Sequence, residues 1–371
     1  MDVTRRGWLG LAGAAAAAPA NAITILPLAA DPTGFTPAPG VAHLKYNENP
    51  LGPPPSALRA MAELARSSWY YADDAESRLA AMIGKSLGVP AAQVVLGHGS
   101  SEIITSAALA WGKRGTILLP ALQFDEPLLY PMAQGLSYRR VAMAPDLGID
   151  LDALARAAAA PDVAMIYLCN PNNPTGMLLP AADLAAFARS LPPRVTLLVD
   201  EAYMELADDP AGSTMLPLVR AGANVIVTRT FSKLFGMAGL RIGYAVASPA
   251  NAAELKRHRL TISLNAPGLA AAIAAWDDRG FQQSSRAQIL AARKLLETAV
   301  ARAGTIALPS QANFLFVKVA DANRFAAAMA ERQILVRGAW GPAWPNWSRV
   351  STGRLADVER FARALPDLVS T

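Results

Sequence analysis

Short apolar strands alternate with helical stretches along the middle of the chain, and this alternation is the feature that most constrains the fold. Three of the strand-like runs, residues 94–96, 163–168 and 196–199, are almost continuously apolar. Strands that are apolar on both faces are typical of a parallel sheet covered by helices on both sides. The pattern therefore predicts an α/β fold with a mostly parallel central sheet.

Other segments extend this alternation and then change it. Further strands are predicted at residues 116–119, 140–143 and 225–228, and helices at residues 101–111, 151–159 and 180–190, with a helix-like stretch before Gln134. From about Asn251 the pattern becomes helices at 266–276, 281–303, 323–332 and 356–365, with strands at 313–319 and 334–336. We therefore expect a large domain at residues 66–250 and a smaller α+β domain at 251–371, joined by residues 23–65.

Composition limits the classes of function. The 371 residues are 53% hydrophobic and 17% charged, which suits two domains with large cores. The net charge is +5, but the basic residues are scattered, so nucleic-acid binding is not expected. The single cysteine, Cys169, follows an apolar run and is expected to be buried and structural. One cysteine and three widely separated histidines, His43, His98 and His258, offer no metal-ligand spacing, so no metal is expected.

The first 22 residues carry the pattern of an export signal. Arg5 and Arg6 precede a weakly apolar, alanine-rich stretch, and residues 20–22 (Ala-Asn-Ala) offer small side chains at a cleavage position. The paired arginines resemble a twin-arginine signal, which predicts transient contact with export machinery and a periplasmic location. The alternative is an alanine-rich tail without a signal function, which predicts a cytoplasmic location. Whether such a signal is cleaved stays open.

Four polar loops follow predicted strands, at the edge where the carboxyl ends of parallel strands meet. They are residues 97–102 (GHGSSE), 170–176 (NPNNPTG), 200–203 (DEAY) and 230–236 (TFSKLFG). Each has an ordinary explanation alone: a helix cap, a proline turn, an N-terminal cap and a surface lysine. Each also has a chemical one, because helix N-termini bind anions, buried acids need partners, and a desolvated lysine becomes nucleophilic.

Taken in order, these motifs are similar to those of fold type I class I/II aminotransferases, in particular the histidinol-phosphate aminotransferase branch. The resemblance runs from about Leu44 to Phe361 and includes LKYNENPLG at residues 44–52 and RVSTG at residues 349–353. It implies an enzyme that depends on pyridoxal 5'-phosphate. Such an enzyme transfers the amino group of an amino acid or histidinol phosphate to a 2-oxo acid.

The resemblance also implies roles for individual residues. Lys233 would form the Schiff base with the cofactor and move the proton during transamination. Asp200 would pair with the ring nitrogen, and Asn173 and Tyr203 with the phenolate oxygen of the ring. The cofactor phosphate would be held by Ser100, Ser101, Thr230, Ser232 and Arg241. Phe124 is the candidate for stacking on the ring, although it does not fall on the tyrosine position usual in the family.

The resemblance assigns substrate and partner contacts as well. Arg349 would bind an anionic group of the amino donor, ordinarily a carboxylate, and Arg337 and Asn47 are further substrate-facing candidates. Tyr71 would reach the cofactor phosphate of a partner subunit. This implies a homodimer with shared active sites.

Several alternatives remain open at this point. A decarboxylase of phosphothreonine type or a C–S lyase of the same fold would use the same lysine and aspartate, and a cofactor-binding sensor would keep the site without turnover. A nucleotide-binding dehydrogenase is excluded because G-x-G-x-x-G does not follow the first strand. The resemblance favours histidinol phosphate and 2-oxoglutarate as substrates, whereas export favours a periplasmic aminotransferase for aromatic or other amino acids. The tryptophan-rich segment 339–347 would shape an apolar substrate pocket or pack the smaller domain.

Overall fold

The computed structural model describes residues 37–369, so the predicted export signal at residues 1–22 lies outside the described residues. The strands are β1 (Ala42–His43), β2 (Val94–Gly97), β3 (Thr116–Pro120), β4 (Tyr138–Val141), β5 (Val163–Cys169), β6 (Thr196–Asp200), β7 (Val225–Thr230), β8 (Gly243–Ala247), β9 (Phe314–Lys318), β10 (Ile334–Leu335) and β11 (Trp347–Ser351). The helices are α1 (Pro55–Leu64), α2 (Asp73–Leu87), α3 (Gly99–Gly112), α4 (Leu129–Ala133), α5 (Leu151–Ala158), α6 (Ala181–Ser190), α7 (Pro210–Ser213), α8 (Leu216–Arg220), α9 (Pro249–His258), α10 (Ala266–Trp276), α11 (Arg279–Arg302), α12 (Ala322–Glu331) and α13 (Leu355–Leu368).

A seven-stranded sheet with the order β2-β8-β7-β6-β5-β3-β4 forms the centre of the fold. The pairs from β7 through β6, β5 and β3 to β4 are parallel, whereas β8 is antiparallel to both β7 and β2. Because β2 and β7 are both antiparallel to β8, they run in the same direction. The predicted α/β class with a mostly parallel sheet is therefore confirmed. The loops after β2, β3, β5, β6 and β7 all leave from one edge.

The central strands are buried on both faces, as their apolar sequences predict. Every residue of β5 and β6 is buried, and their side chains alternate between two cores. Leu197 and Val199 pack into one core, and Leu198 packs into the other on the α3 side. Burying each such side chain contributes about 1.5–3 kcal/mol. This burial keeps the strands in the sheet even though polar residues follow at their carboxyl ends.

The C-terminal part of the chain contains two short sheets. β9 and β11 pair antiparallel, and β1 pairs in parallel with β10, so that Ala42 lies opposite Ile334. Helices α11, α12 and α13 cover a separate core that includes Phe325 and Phe361. Pro39–Thr371 form one compact unit. The boundaries between residues 23–65, 66–250 and 251–371 stay a prediction.

Most predicted helices and strands are confirmed to within a few residues, but some differ. The strand predicted at 140–143 begins two residues earlier. In the helix-like stretch before Gln134, Glu126–Leu128 form a 3-10 turn and only the short α4, which contains Pro131, is α-helical. The sequence did not predict β8, β11, α1, α2 or α9. Strand β8 (GYAVA) consists mostly of small residues, which carry a weak strand signal. Within residues 37–369, no helix has the length and apolar character needed to cross a membrane.

Candidate active site

A cavity of about 270 Å³ lies at the carboxyl edge of the seven-stranded sheet. Its lining includes thirteen of the residues singled out from the sequence: Asn47, Ser100, Ser101, Phe124, Asn173, Asp200, Tyr203, Thr230, Ser232, Lys233, Arg241, Arg337 and Arg349. The loops after β2, β5, β6 and β7 deliver most of them, as expected for parallel strands that end at one edge. The cavity therefore collects into one space residues that are separated by up to about 300 positions in the sequence.

Asp200 is the last residue of β6 and lies on the floor of the cavity, only 3% exposed. Burial raises the pKa of its carboxyl group to about 6, while hydrogen bonds from Thr228 and Ser100 act in the opposite direction. Thr228 Oγ1 donates to Asp200 Oδ1 at 2.8 Å. Within the described residues no cation forms a salt bridge with this carboxylate. A buried carboxylate without a salt bridge would be stabilised by a hydrogen bond from a cationic N–H group.

Lys233 lies in the turn after β7, beside the buried side chains of Phe231 and Leu234. Loss of solvent and, to a smaller extent, the positive charge of Arg349 lower the pKa of its amine to about 8. The nitrogen Nζ lies 5.5 Å from the ring centroid of Tyr203. No carboxylate within residues 37–369 lies within 4.0 Å of this amine. A considerable fraction of the amine is therefore neutral and nucleophilic at mildly alkaline pH.

A network of polar groups forms one wall of the cavity. Arg349 Nη1 donates to Asn173 Oδ1 at 2.7 Å, and its Nη2 donates to the carbonyl of Lys45 at 2.8 Å. The hydroxyl of Tyr203 accepts hydrogen bonds from the side-chain amides of Asn173 (3.4 Å) and Asn47 (3.1 Å). Because the hydroxyl oxygen accepts these bonds, its own proton remains available for a ligand. The wall thus presents hydrogen-bond donors to the cavity.

An anion cradle lies where α3 begins. Gly99 has φ +68°, and a Cβ there would lie 2.4 Å from Arg241 Nη2; a Cβ at Gly243 would lie 2.3 Å from the backbone nitrogen of Ser100. The two glycines therefore allow the guanidinium and the first turn of α3 to approach each other. Arg241 Nη1 lies 3.4 Å from Ser232 Oγ. Helix-terminal N–H groups, hydroxyls and a guanidinium together suit a phosphate dianion.

Tyr46 and Glu126 also line the cavity, and neither was assigned a role from the sequence. Of the tryptophan-rich segment, Trp340 faces the cavity, whereas Trp347 stacks on Phe316 with 5.2 Å between ring centroids. Packing by part of the segment is therefore observed, whereas an apolar substrate pocket stays a prediction. Cys169 also lines the cavity, and burial raises the pKa of its thiol well above the usual range, as expected for an unreactive cysteine.

Tyr71 is the one predicted site residue that the structure places elsewhere. Its side chain is 81% exposed and borders a surface groove together with Tyr70 and Ile262. The neighbouring Trp69 is 78% exposed. Within one chain Tyr71 therefore contributes nothing to the cavity, and its contact with a partner subunit stays a prediction.

Comparison with known proteins identifies the family. Residues 39–365 match the family described as aminotransferase class I and II. The chain belongs to the class I and II aminotransferase family. It is 39% identical over 318 residues to histidinol-phosphate aminotransferase 2 of Ralstonia nicotianae, covering 84% of each chain, and 37% identical over 331 residues to histidinol-phosphate aminotransferase 1 of Cupriavidus pinatubonensis, covering 88% of each.

A solved structure extends this relationship to three dimensions. The histidinol-phosphate aminotransferase of Sinorhizobium meliloti, in complex with pyridoxal-5'-phosphate, superimposes with a TM-score of 0.80 at 31% identity, covering 88% of this chain and 90% of that one. The predicted fold type I and the predicted pyridoxal-phosphate-dependent aminotransferase are thus confirmed. The export signal and the homodimer are not tested by these relatives and stay predictions.

The cavity fits this cofactor on its own chemistry. The cradle at α3 suits the phosphate, the uncompensated carboxylate of Asp200 suits a pyridinium N–H, and the amine of Lys233 suits an aldehyde. These three features are chemically different and occur in one cavity. A structural role alone would explain neither the uncompensated acid nor the lysine without an ion pair.

Proposed function

We propose that this aminotransferase takes its amino group from a donor that carries a doubly charged anionic group, with histidinol phosphate as the first candidate and 2-oxoglutarate as the acceptor. The observation that carries the proposal is a pair of arginines, Arg337 and Arg349, that line the cavity without a carboxylate within 4.0 Å in the described part of the chain. The names of the relatives support the same choice of donor.

The residue roles follow from the chemistry of each group. Ser100, Ser101, Thr230, Ser232 and Arg241 would hold the cofactor phosphate. Asp200 would receive the ring N–H, and Asn173 and Tyr203 would donate to the phenolate oxygen. Phe124, which lines the cavity, would pack on the ring. When bound, the cofactor supplies an aldehyde that takes up the amino group of the donor and a conjugated ring that withdraws electrons from its α-carbon.

Lys233 would supply the amine that holds the cofactor and the base of the reaction. With a pKa of about 8, its Nζ is able to take a proton from the α-carbon of the donor near neutral pH and to return it later. Arg349 is fixed by Asn173 and the carbonyl of Lys45, so its guanidinium keeps one orientation towards an anion of the donor. The side-chain amide of Asn47 would position Tyr203 through its hydrogen bond to the tyrosine hydroxyl.

Two further proposals concern assembly and location. A homodimer is supported by the exposed aromatic cluster of Trp69, Tyr70 and Tyr71, because exposed apolar patches of this kind mark interaction surfaces. A single-chain mass in analytical ultracentrifugation at micromolar concentration would refute it. Export to the periplasm is supported by Arg5 and Arg6. Equal cytoplasmic retention of the intact chain and of a variant with both arginines changed to lysine would argue against it.

The decisive experiment is spectroscopic. The chain without residues 1–22 is purified, and its absorbance is recorded before and after addition of histidinol phosphate, phenylalanine or glutamate. We expect the band of the bound cofactor aldehyde to convert to that of the amine form with at least one donor, most efficiently with histidinol phosphate. Lys233→Ala should lose the conversion, and Lys113→Ala, which changes an exposed lysine, should keep it.

Each other outcome has a defined meaning. Efficient conversion by phenylalanine but not histidinol phosphate would replace the proposed donor with an aromatic amino acid. A cofactor band that no donor converts, together with release of carbon dioxide or a thiol, would favour a decarboxylase or a C–S lyase. Failure to bind pyridoxal phosphate would refute the proposed residue roles.

A further inference from the structure

The indole ring of Trp340 contacts both substrate-facing arginines. The guanidinium carbon of Arg337 lies 4.6 Å from the ring centroid of Trp340, and that of Arg349 lies 5.2 Å from it. Arg349 also contacts the ring of Phe314, at 5.6 Å. Trp340 itself lines the active-site cavity. One aromatic side chain therefore contacts both Arg337 and Arg349.

The backbone holds this group of residues in register. The N–H of Arg337 donates to the carbonyl of Arg349 at 3.1 Å, and Ala339 forms a β-bridge with Ser348. Ser348 Oγ also donates to the carbonyl of Arg337 at 2.6 Å. The segment with Trp340 thus runs beside β11 as an irregular extra strand. The proximity of the ring to both arginines follows from this pairing.

The two arginines are held very differently by their side chains. Arg349 is 4% exposed and makes hydrogen bonds to Asn173 and to the carbonyl of Lys45. Within residues 37–369 the side chain of Arg337 makes no hydrogen bond and no salt bridge, and Trp340 is its ring contact. Two guanidinium groups repel each other, and burial together with Arg337 lowers the pKa of Arg349 to about 10. Among the described residues, the indole of Trp340 is therefore the aromatic group against which the guanidinium of Arg337 packs.

We propose that Trp340 is a specificity-determining residue. Its ring holds Arg337 next to Arg349, so that the site receives a doubly charged anionic group in preference to a single carboxylate. The inference rests on the proposed function, because it concerns the donor site of the same cavity. If the ring is removed, Arg337 turns towards solvent, whereas Arg349 stays fixed and still binds a monoanion.

The test measures the binding of two unreactive probes to the cofactor-loaded protein by calorimetry. Phenyl phosphate is a dianion and benzoate a monoanion, and both carry the same ring. The wild-type protein should bind phenyl phosphate more tightly. Trp340→Leu and Trp340→Met should weaken phenyl phosphate about tenfold and benzoate less than about threefold, since one or two cation–π contacts are lost. Trp340→Phe keeps an aromatic face and should retain most of the preference.

A matched control and a kinetic measurement separate this role from general packing. Trp344 lies in the same segment, is partly buried and is not part of the cavity lining, so Trp344→Leu should leave both affinities unchanged. In Trp340→Leu the histidinol phosphate concentration that gives half-maximal conversion should rise about tenfold, while the maximal rate stays within about twofold.

The outcomes are distinguishable from failure of the proposed function. Equal weakening of both probes, unchanged affinities in both Trp340→Leu and Trp340→Met, or a wild-type protein without a preference for phenyl phosphate would overturn the role of Trp340. None of these results affects the conversion of the cofactor by the wild-type protein. Conversely, a wild-type protein that converts only donors with a single carboxylate would overturn the proposed donor class together with this inference.

Discussion

Two consecutive carboxylates at the end of β6, Asp200 and Glu201, lie in opposite surroundings although both are almost completely buried. Side chains alternate across a strand, so Asp200 points towards the cavity and Glu201 towards the other side of the sheet. Strand β7 alternates in the same register. Thr228 meets Asp200, and Arg229 meets Glu201.

The two acids differ in their partners. Glu201 Oε2 accepts from Arg229 Nε at 3.1 Å and Nη2 at 2.8 Å, and its Oε1 accepts from Thr214 and from the backbone of Met215. Asp200 has hydroxyl partners and no salt bridge within the described residues, Lys233 acts on it from a longer distance, and burial raises its pKa to about 6. The lesson is that burial alone does not mark a functional acid. The compensated acid holds the structure, and the uncompensated one is left for a ligand.

The largest expected effect comes from a substitution of Glu201, the acid that is paired with Arg229. Glu201→Gln keeps the volume but removes the charge that faces Arg229, whose remaining carboxylate, that of Glu205, lies 3.6 Å away. We expect the free energy of unfolding to fall by about 3–5 kcal/mol, because a buried cation loses its main partner. Urea unfolding of the cofactor-free protein measures the change. The folded protein should still convert donors, so a loss of conversion at unchanged stability would contradict the division between the two acids.

The comparison also shows what the sequence was able to predict. The apolar run at residues 197–199 placed Asp200 at a strand end, and the loops placed Lys233 and Asn173 at the same edge. The family resemblance assigned the cavity position to Asp200 and not to Glu201. The apolar pattern alone did not distinguish the two acids, because their surroundings depend on the register between β6 and β7, a tertiary property. The threonine at 228, two residues before Thr230 and therefore on the same face, was a usable signal.

The position of Trp340 at the cavity was harder to predict for a different reason. Trp340 lies in an irregular segment without strand or helix periodicity, and its position is set by the bridge between Ala339 and Ser348. Hydrophobic patterns carry no information about such a segment. Likewise, the partner contact of Tyr71 depends on a second chain. The residues at the strand ends were therefore predictable from their motifs, whereas the position of Trp340 beside both arginines was not.

The two acids should also differ in how they make the stability of the protein depend on pH. The pKa of Asp200 is about 6 in the folded protein, above the usual value of about 3.9 in an unfolded chain. Between these values the folded state binds the proton and the unfolded state does not. The contribution of Asp200 to stability is therefore largest at low pH and is lost as pH rises through about 6, with a slope of up to about 1.4 kcal/mol per pH unit.

Asp200→Asn isolates this effect, because an amide does not titrate. Denaturant unfolding of the two cofactor-free proteins between pH 4 and pH 7 should show the wild type losing stability relative to Asp200→Asn as pH rises. A constant difference across this range would mean that Asp200 is ionised throughout, like a compensated acid. Glu201→Gln provides the contrast, since it should be destabilised across the whole range.

The smallest expected effect concerns Thr228, the hydroxyl that supports Asp200 on the cavity side. Thr228→Val keeps the shape of the side chain but removes the donor that lies 2.8 Å from Asp200 Oδ1. The carboxylate then loses a hydrogen bond that favours its charged form, so its pKa should rise and its pairing with a pyridinium N–H should weaken. We expect the affinity for pyridoxal phosphate at pH 8 to fall by about threefold to tenfold, the range of one hydrogen bond.

Two further variants distinguish a role of the Thr228 hydroxyl from a general effect on the packing of the sheet. Thr228→Ser restores the hydroxyl and should restore the affinity in a titration of the cofactor-free protein. Thr196→Val removes a buried hydroxyl at the opposite end of β6, where it bonds Asn224, and should lower stability without changing cofactor affinity. If Thr196→Val weakens cofactor binding as much as Thr228→Val does, the effect comes from the packing of the sheet. If only Thr228→Val does so, the hydroxyl acts through Asp200, and the cavity side of β6 is adjusted by its hydrogen bonds just as the other side is fixed by its ion pair.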